Sequence, residues 1–103
     1  MLSFEFDIDL NVDDVYGLKT YEVKKIIIKM MENCFSDVEI IYFTHNEISN
    51  ITSIYFSIKS KSLHEAKLGL LKLYVGENEF ENIKDYEEAF EDYVVNDAFE
   101  NYE

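Results

Sequence analysis

The sequence contains no proline and no tryptophan, three glycines, one cysteine and nine basic residues against 22 acidic ones. Each shortage excludes something. A single cysteine, Cys34, cannot close an internal disulfide and has no second cysteine at metal-ligand or CxxC spacing, which points to a reducing compartment. Three isolated glycines cannot build a glycine-rich phosphate loop. Met1 to Leu10 lacks the basic start of a signal peptide, and no apolar run reaches the ~18 residues of a membrane span. A cytoplasmic location is therefore expected, the host cytoplasm if the gene belongs to a phage, with no membrane partner. Scarce bases and a formal net charge of −13 disfavour direct binding to nucleic acid, because the field repels phosphate. The lack of proline and glycine beside abundant Ile, Asn, Lys and Glu is also the composition of A/T-rich or mobile-element genes.

What is present is a foldable chain. With 103 residues, 48% of them hydrophobic, and eight each of tyrosine and phenylalanine, it has the length of one domain and too much apolar surface for disorder. Leu2, Phe4, Phe6, Ile8 and Leu10 alternate with Ser3, Glu5, Asp7 and Asp9, a strand with one apolar and one acidic face. After a polar turn over Asn11 to Gly17, the period changes. Val23, Ile26, Ile27, Met30, Met31 and Cys34 recur at helical spacing over about Thr20 to Phe35, which makes Cys34 a core residue. Val38 to Thr44 and Ile51 to Lys59 read as strands joined by a polar loop, a hairpin. In the second of them Ile54, Phe56 and Ile58 share one face and Ser53, Tyr55, Ser57 and Lys59 the other. Ser62 and Glu65 form a capping box for a helix through Leu63, Ala66, Leu70, Leu73 and Tyr74, stopped near Gly76. Leu68, Leu71 and Val75 widen its apolar surface. After residues 77–80, Asn82 or Asn78 can cap a last helix with the stripe Ile83, Tyr86, Phe90, Tyr93 and Val94. The expected fold is α+β: a three-stranded antiparallel-type sheet with helices on one face, in the order β-α-β-β-α-α. It resembles a ferredoxin-like layout whose last strand is replaced by a helix.

The charge is unevenly distributed. Residues 77–103 hold eleven acids and one base, Lys84, whereas residues 1–76 come to −3. The chain thus divides into a nearly neutral scaffold (1–76) and an acidic helical segment (77–103) within a single domain. At helical pitch, Glu81, Asp85, Glu88 and Asp92 fall on one stripe roughly opposite Tyr86 and Phe90, with neighbours about 5–6 Å apart. Glu87 and Glu91 form a flanking pair. On the first strand Glu5, Asp7 and Asp9 share a face at steps of about 6.5–7 Å, close to the spacing of phosphates along a nucleic-acid strand. Pairing of that face with lysines such as Lys59 would give it a purely structural role.

Catalytic and metal patterns fail. Asp9, Asn11 and Asp13 open a calcium-loop motif, but Asp14 stands where glycine is needed and Thr20 where a bidentate glutamate is needed. His45 and His64 have no zinc-ligand spacing and no nucleophile partner. The sequon Asn50-Ile51-Thr52 has no role in a cytoplasmic protein. No enzyme and no cofactor are expected. An acidic face with interleaved aromatics is suited to a basic, nucleic-acid-binding protein such as a nuclease or effector complex. Glu81, Asp85, Glu87, Glu88, Glu91, Asp92 and Tyr93, together with Glu5, Asp7 and Asp9, are the expected contacts. In physical character the chain is similar to the phage-encoded anti-CRISPR and anti-restriction inhibitors that imitate nucleic acid, although no motif ties it to one of them. Two alternatives stand: an immunity protein or antitoxin that neutralises a basic toxin, and a structural or adaptor subunit that forms homodimers through Leu68, Leu71 and Val75.

Overall fold

Alternating apolar residues bury one face of a strand only if another layer covers them, and here two helices do so. The computed structural model describes residues 1–75 and 95–99. Strand β1 (Leu2–Leu10) is followed by a 3-10 turn (Asp13–Val15), helix α1 (Thr20–Cys34), strands β2 (Val38–Asn46) and β3 (Ile51–Ser60), helix α2 (Leu63–Val75) and a short helix α3 (Val95–Ala98). The sheet is antiparallel with order β1-β3-β2, an α+β fold with its helices on one side. Inserting β3 between β1 and β2 is the split β-α-β arrangement of ferredoxin-like layouts.

Phe4, Phe6, Ile8 and Leu10 of β1 lie beside Ile58, Phe56, Ile54 and Thr52 of β3 in direct register. All but Thr52 are hydrophobic residues of the core, and Thr52 is buried with them. From α1, Val23, Ile27 and Met31 are fully buried at i, i+4, i+8. The stripe is narrower than its sequence pattern: Ile26 is 40% exposed, and Met30 and Cys34 are half-buried at its margin. Cys34 thus borders the core without entering it, because it closes the last turn of α1. Val15, in the 3-10 turn, is a core residue that its polar surroundings conceal.

Helix α2 begins as its sequence predicts: the Ser62 hydroxyl accepts the Glu65 N–H at 3.1 Å. It packs on β3, α1 and α3. Ala66, Leu70, Leu71 and Leu73 are consequently all buried, and Leu68 packs partly against them. Of the residues expected to serve self-association, Leu71 is buried and Leu68 half-buried, and the Val75 side chain lies outside the described residues. Gly69 permits the close approach of α1: a Cβ there would stand 2.6 Å from the Phe35 ring and 2.9 Å from the Cys34 carbonyl oxygen.

The β2–β3 loop is organised by asparagines. The Asn46 side-chain oxygen accepts the N–H groups of Ile48 and Ser49 at 2.9 and 3.1 Å. Asn50 adopts φ +58°, tolerable for asparagine. Its side-chain amide donates to the Val12 carbonyl at 2.8 Å and to Asn11 at 3.1 Å, so the sequon nitrogen is held inside the fold. One residue of this loop reaches α1. Glu47 accepts both the Thr20 N–H (3.1 Å) and the Thr20 hydroxyl (2.8 Å), with the Lys19 ammonium 3.9 Å away. A carboxylate from another element thereby caps the helix N-terminus, where N–H groups lack internal acceptors.

The far end of the acidic segment returns to the core. Val95 and Phe99 are fully buried, and the Phe99 ring lies 4.8 Å from Phe6 and 5.2 Å from Phe4, centroid to centroid. Lys67 of α2 sits 6.0 Å above that ring. The scaffold thus includes residues beyond 76. The expected acidic stripe, and with it Glu81, Asp85, Glu87, Glu88, Glu91, Asp92 and Tyr93, lies outside the described residues. No helix among the described residues is long and apolar enough to cross a membrane.

Candidate functional site

The same alternation that buries one side of the sheet presents the other. On the outer side, cross-strand register arranges side chains in three rows: Glu5–Ser57–Glu39, Asp7–Tyr55–Tyr42 and Asp9–Ser53–Thr44. Glu5, Asp7, Asp9 and Glu39 are all exposed. The structure thus brings together the three β1 acids singled out in the sequence and adds Glu39 across the sheet. The strands contain one lysine, Lys59, and it pairs with Ser3. That places it one step from Glu5 and opposite none of the acids, against the expectation of direct acid–lysine pairing.

The residues opposite the acids bear hydroxyls, with a different electrostatic consequence. The Ser53 hydroxyl donates to Asp9 at 2.5 Å, and the Tyr55 hydroxyl donates to Glu5 at 2.6 Å. A hydroxyl donor orients a carboxylate without cancelling its charge, whereas a lysine would neutralise it. Among the described residues, no basic side chain lies directly opposite Glu5, Asp7 or Asp9 in the sheet.

Tyr42 joins this face through a backbone irregularity. Counting alternately from Val38 would turn Tyr42 inward and Phe43 outward. A bulge between Ile40 and Tyr42 inserts Ile41 and reverses the parity. Tyr42 is then 65% exposed and Ile41 50% exposed, while Phe43 packs against the core. Asp7, Asp9, Tyr42, Ser53 and Tyr55 line a shallow depression on the sheet.

The described helices carry lysines as well as acids. Among the described residues, Lys24, Lys25 and Lys29 of α1 and Lys72 of α2 are exposed, beside the exposed acids Glu32 and Glu65. Glu47 is held below the ordinary carboxylate range, first by its bonds from Thr20, with a smaller contribution from the Lys19 charge. Burial, and secondarily the charge of Asp9, pushes the Tyr74 hydroxyl up. Neither describes an acid–base pair. His45 is bonded to Thr52 (Nδ1 to Oγ1, 2.8 Å), its strand-to-strand partner. Among the described residues, no group of three or more His, Cys, Asp or Glu side chains is placed to hold a metal ion.

No protein-family model, curated protein or solved structure matches the chain.

Proposed function

We propose that the chain is a non-enzymatic inhibitor that binds a basic, nucleic-acid-handling protein and occupies its Arg/Lys-lined channel in place of nucleic acid. The observation that carries this reading is the exposed β1 row of Glu5, Asp7 and Asp9, set opposite hydroxyl residues and repeated every second residue of a regular strand. A strand holds such charges at steps of about 6.5–7 Å. Such a one-sign array on a rigid sheet accelerates encounter with a basic surface and selects for it. Exposed Tyr42, in one row with Asp7 and Tyr55, offers the aromatic contact that charge alone lacks. Residues 77–103, with eleven acids, add to the same field.

The test is competition. The chain is immobilised, nuclease-treated host lysate is passed over it at low salt, and the proteins released by high salt are identified. A released nucleic-acid-binding protein should then lose a bound fluorescent DNA or RNA when the free chain is added. Retention of acidic proteins only, or of a partner whose nucleic acid is not displaced, rejects the mimic reading. A single dedicated toxin as the retained protein would favour the immunity alternative.

A further inference from the structure

We infer that the depression on the outer sheet face is a seat for an arginine side chain of the partner protein. This inference rests on the binding reading above and specifies the residue that the basic partner contributes. The depression arises from the direction in which Tyr55 leans. Tyr55 lies opposite Asp7, yet its hydroxyl bonds to Glu5, which lies opposite Ser57. The hydroxyl is therefore drawn toward the Glu5–Ser57 row, away from the Asp9–Ser53 row. Asp7, Asp9, Tyr42, Ser53 and Tyr55 line the depression, with the carboxylates on β1 and Tyr42 on β2 flanking the central strand β3. Ser53 donates to Asp9 Oδ1, which fixes that carboxylate while leaving its second oxygen available as an acceptor.

The chemistry of this lining selects a planar cation. Two carboxylates supply acceptors for a forked set of N–H donors, and phenol rings supply faces on which a flat, weakly hydrated cation stacks. A guanidinium has both properties. An ammonium has the charge but neither the plane nor the fork. A hard divalent cation would need six or more oxygen ligands or several retained waters, which two carboxylates beside aromatic rings do not provide. The aromatic pair, more than the acidity, carries the selectivity: Tyr42 is on this face only because of the bulge at Ile41.

The experiment titrates the isotope-labelled full chain with acetyl-Gly-Arg-Gly-amide and, separately, with acetyl-Gly-Lys-Gly-amide, following the backbone resonances of Asp7, Asp9, Tyr42, Ser53 and Tyr55. Reading these positions separates the seat from diffuse attraction to acids elsewhere. The arginine peptide should shift them saturably and bind several-fold more tightly than the lysine peptide. Asp7→Asn together with Asp9→Asn should weaken it about tenfold, as expected for loss of charge-assisted bonds. Tyr42→Ala should weaken it about three- to fivefold, as for loss of an exposed cation–π contact. Unchanged far-UV circular dichroism verifies that these surface variants fold. Equal binding of the two peptides, no effect of Tyr42→Ala, or displacement of the arginine peptide by millimolar calcium would overturn the inference. Such a failure leaves the mimic reading intact if the captured protein still loses its nucleic acid. A seated arginine peptide with no captured nucleic-acid-binding protein removes the mimic reading and retains the seat.

Discussion

The two faces of one sheet are built from neighbouring residues and follow opposite rules. Phe56 points inward, fully buried against Phe6 and Phe35 at centroid distances of 5.5 and 5.8 Å. Tyr55, one residue earlier, points outward and bonds to Glu5. Inward positions are filled by aliphatic and aromatic side chains under helices, whose burial supplies most of the favourable free energy of folding. Outward positions carry acids side by side along β1, an arrangement that self-repulsion makes slightly unfavourable. The strand beside β1 sets Ser57, Tyr55 and Ser53 opposite these acids, with Lys59 one step beyond Glu5; under the proposed function, the retained repulsion is what a basic partner relieves.

The contrast can be broken from the inside first. Phe56→Ala and Phe99→Ala should each cost about 3–5 kcal/mol, measured by urea denaturation, whereas Tyr55→Ala should cost clearly less. A Phe99→Ala value near zero would show that the C-terminal end does not contribute to the core. Next in size, Gly69→Ala should cost about 1–3 kcal/mol through overpacking against Phe35 and Cys34, despite alanine's better helix propensity. Neutralising the outer face, by Asp7→Asn with Asp9→Asn, should change stability by less than about 0.5 kcal/mol. A loss larger than Gly69→Ala would mean that the acids hold the fold together.

The smallest effect concerns Glu47. Its carboxyl titrates lower in the folded chain than in the unfolded one because Thr20 donates to the ionised form. The stabilisation is thus present above the ordinary carboxylate pKa and disappears as pH falls through the lowered folded value. Melting temperature against pH for Glu47→Gln should converge with the wild type at the acid end and lie below it near neutrality. A constant offset at every pH would contradict the capping role.

Much of this was legible in residue patterns. The alternation over Leu2–Leu10 marks β1 with its bounds, the two faces of β3 follow from Ser53–Lys59, and Ser62 with Glu65 marks the start of α2. What escaped depends on contacts between residues distant in sequence or on one-residue irregularities. The bulge at Ile41 reverses the faces of Tyr42 and Phe43, and neither residue type nor spacing announces it. Glu47 reads as an ordinary loop acid until the hairpin places it 27 residues back, against Thr20. Gly69 looks like an isolated helix glycine until α1 crosses it. Phe99, one aromatic among many acids, becomes a core residue only when β1 is beneath it. For the candidate site, the β1 acids were apparent from alternation, but the rows they form with Ser53, Tyr55 and Ser57 required the strand register.

The most direct measurement compares the wild-type chain with Glu5→Lys/Asp7→Lys/Asp9→Lys as immobilised baits at low salt, after both are shown to melt within a few degrees of each other. The account predicts that a salt-released nucleic-acid-binding protein is retained by the wild type and lost by the variant. The parallel variant Glu81→Lys/Asp85→Lys/Glu88→Lys/Asp92→Lys should weaken retention less. Equal retention by the β1 variant and the wild type, or retention that salt does not disturb, would contradict it.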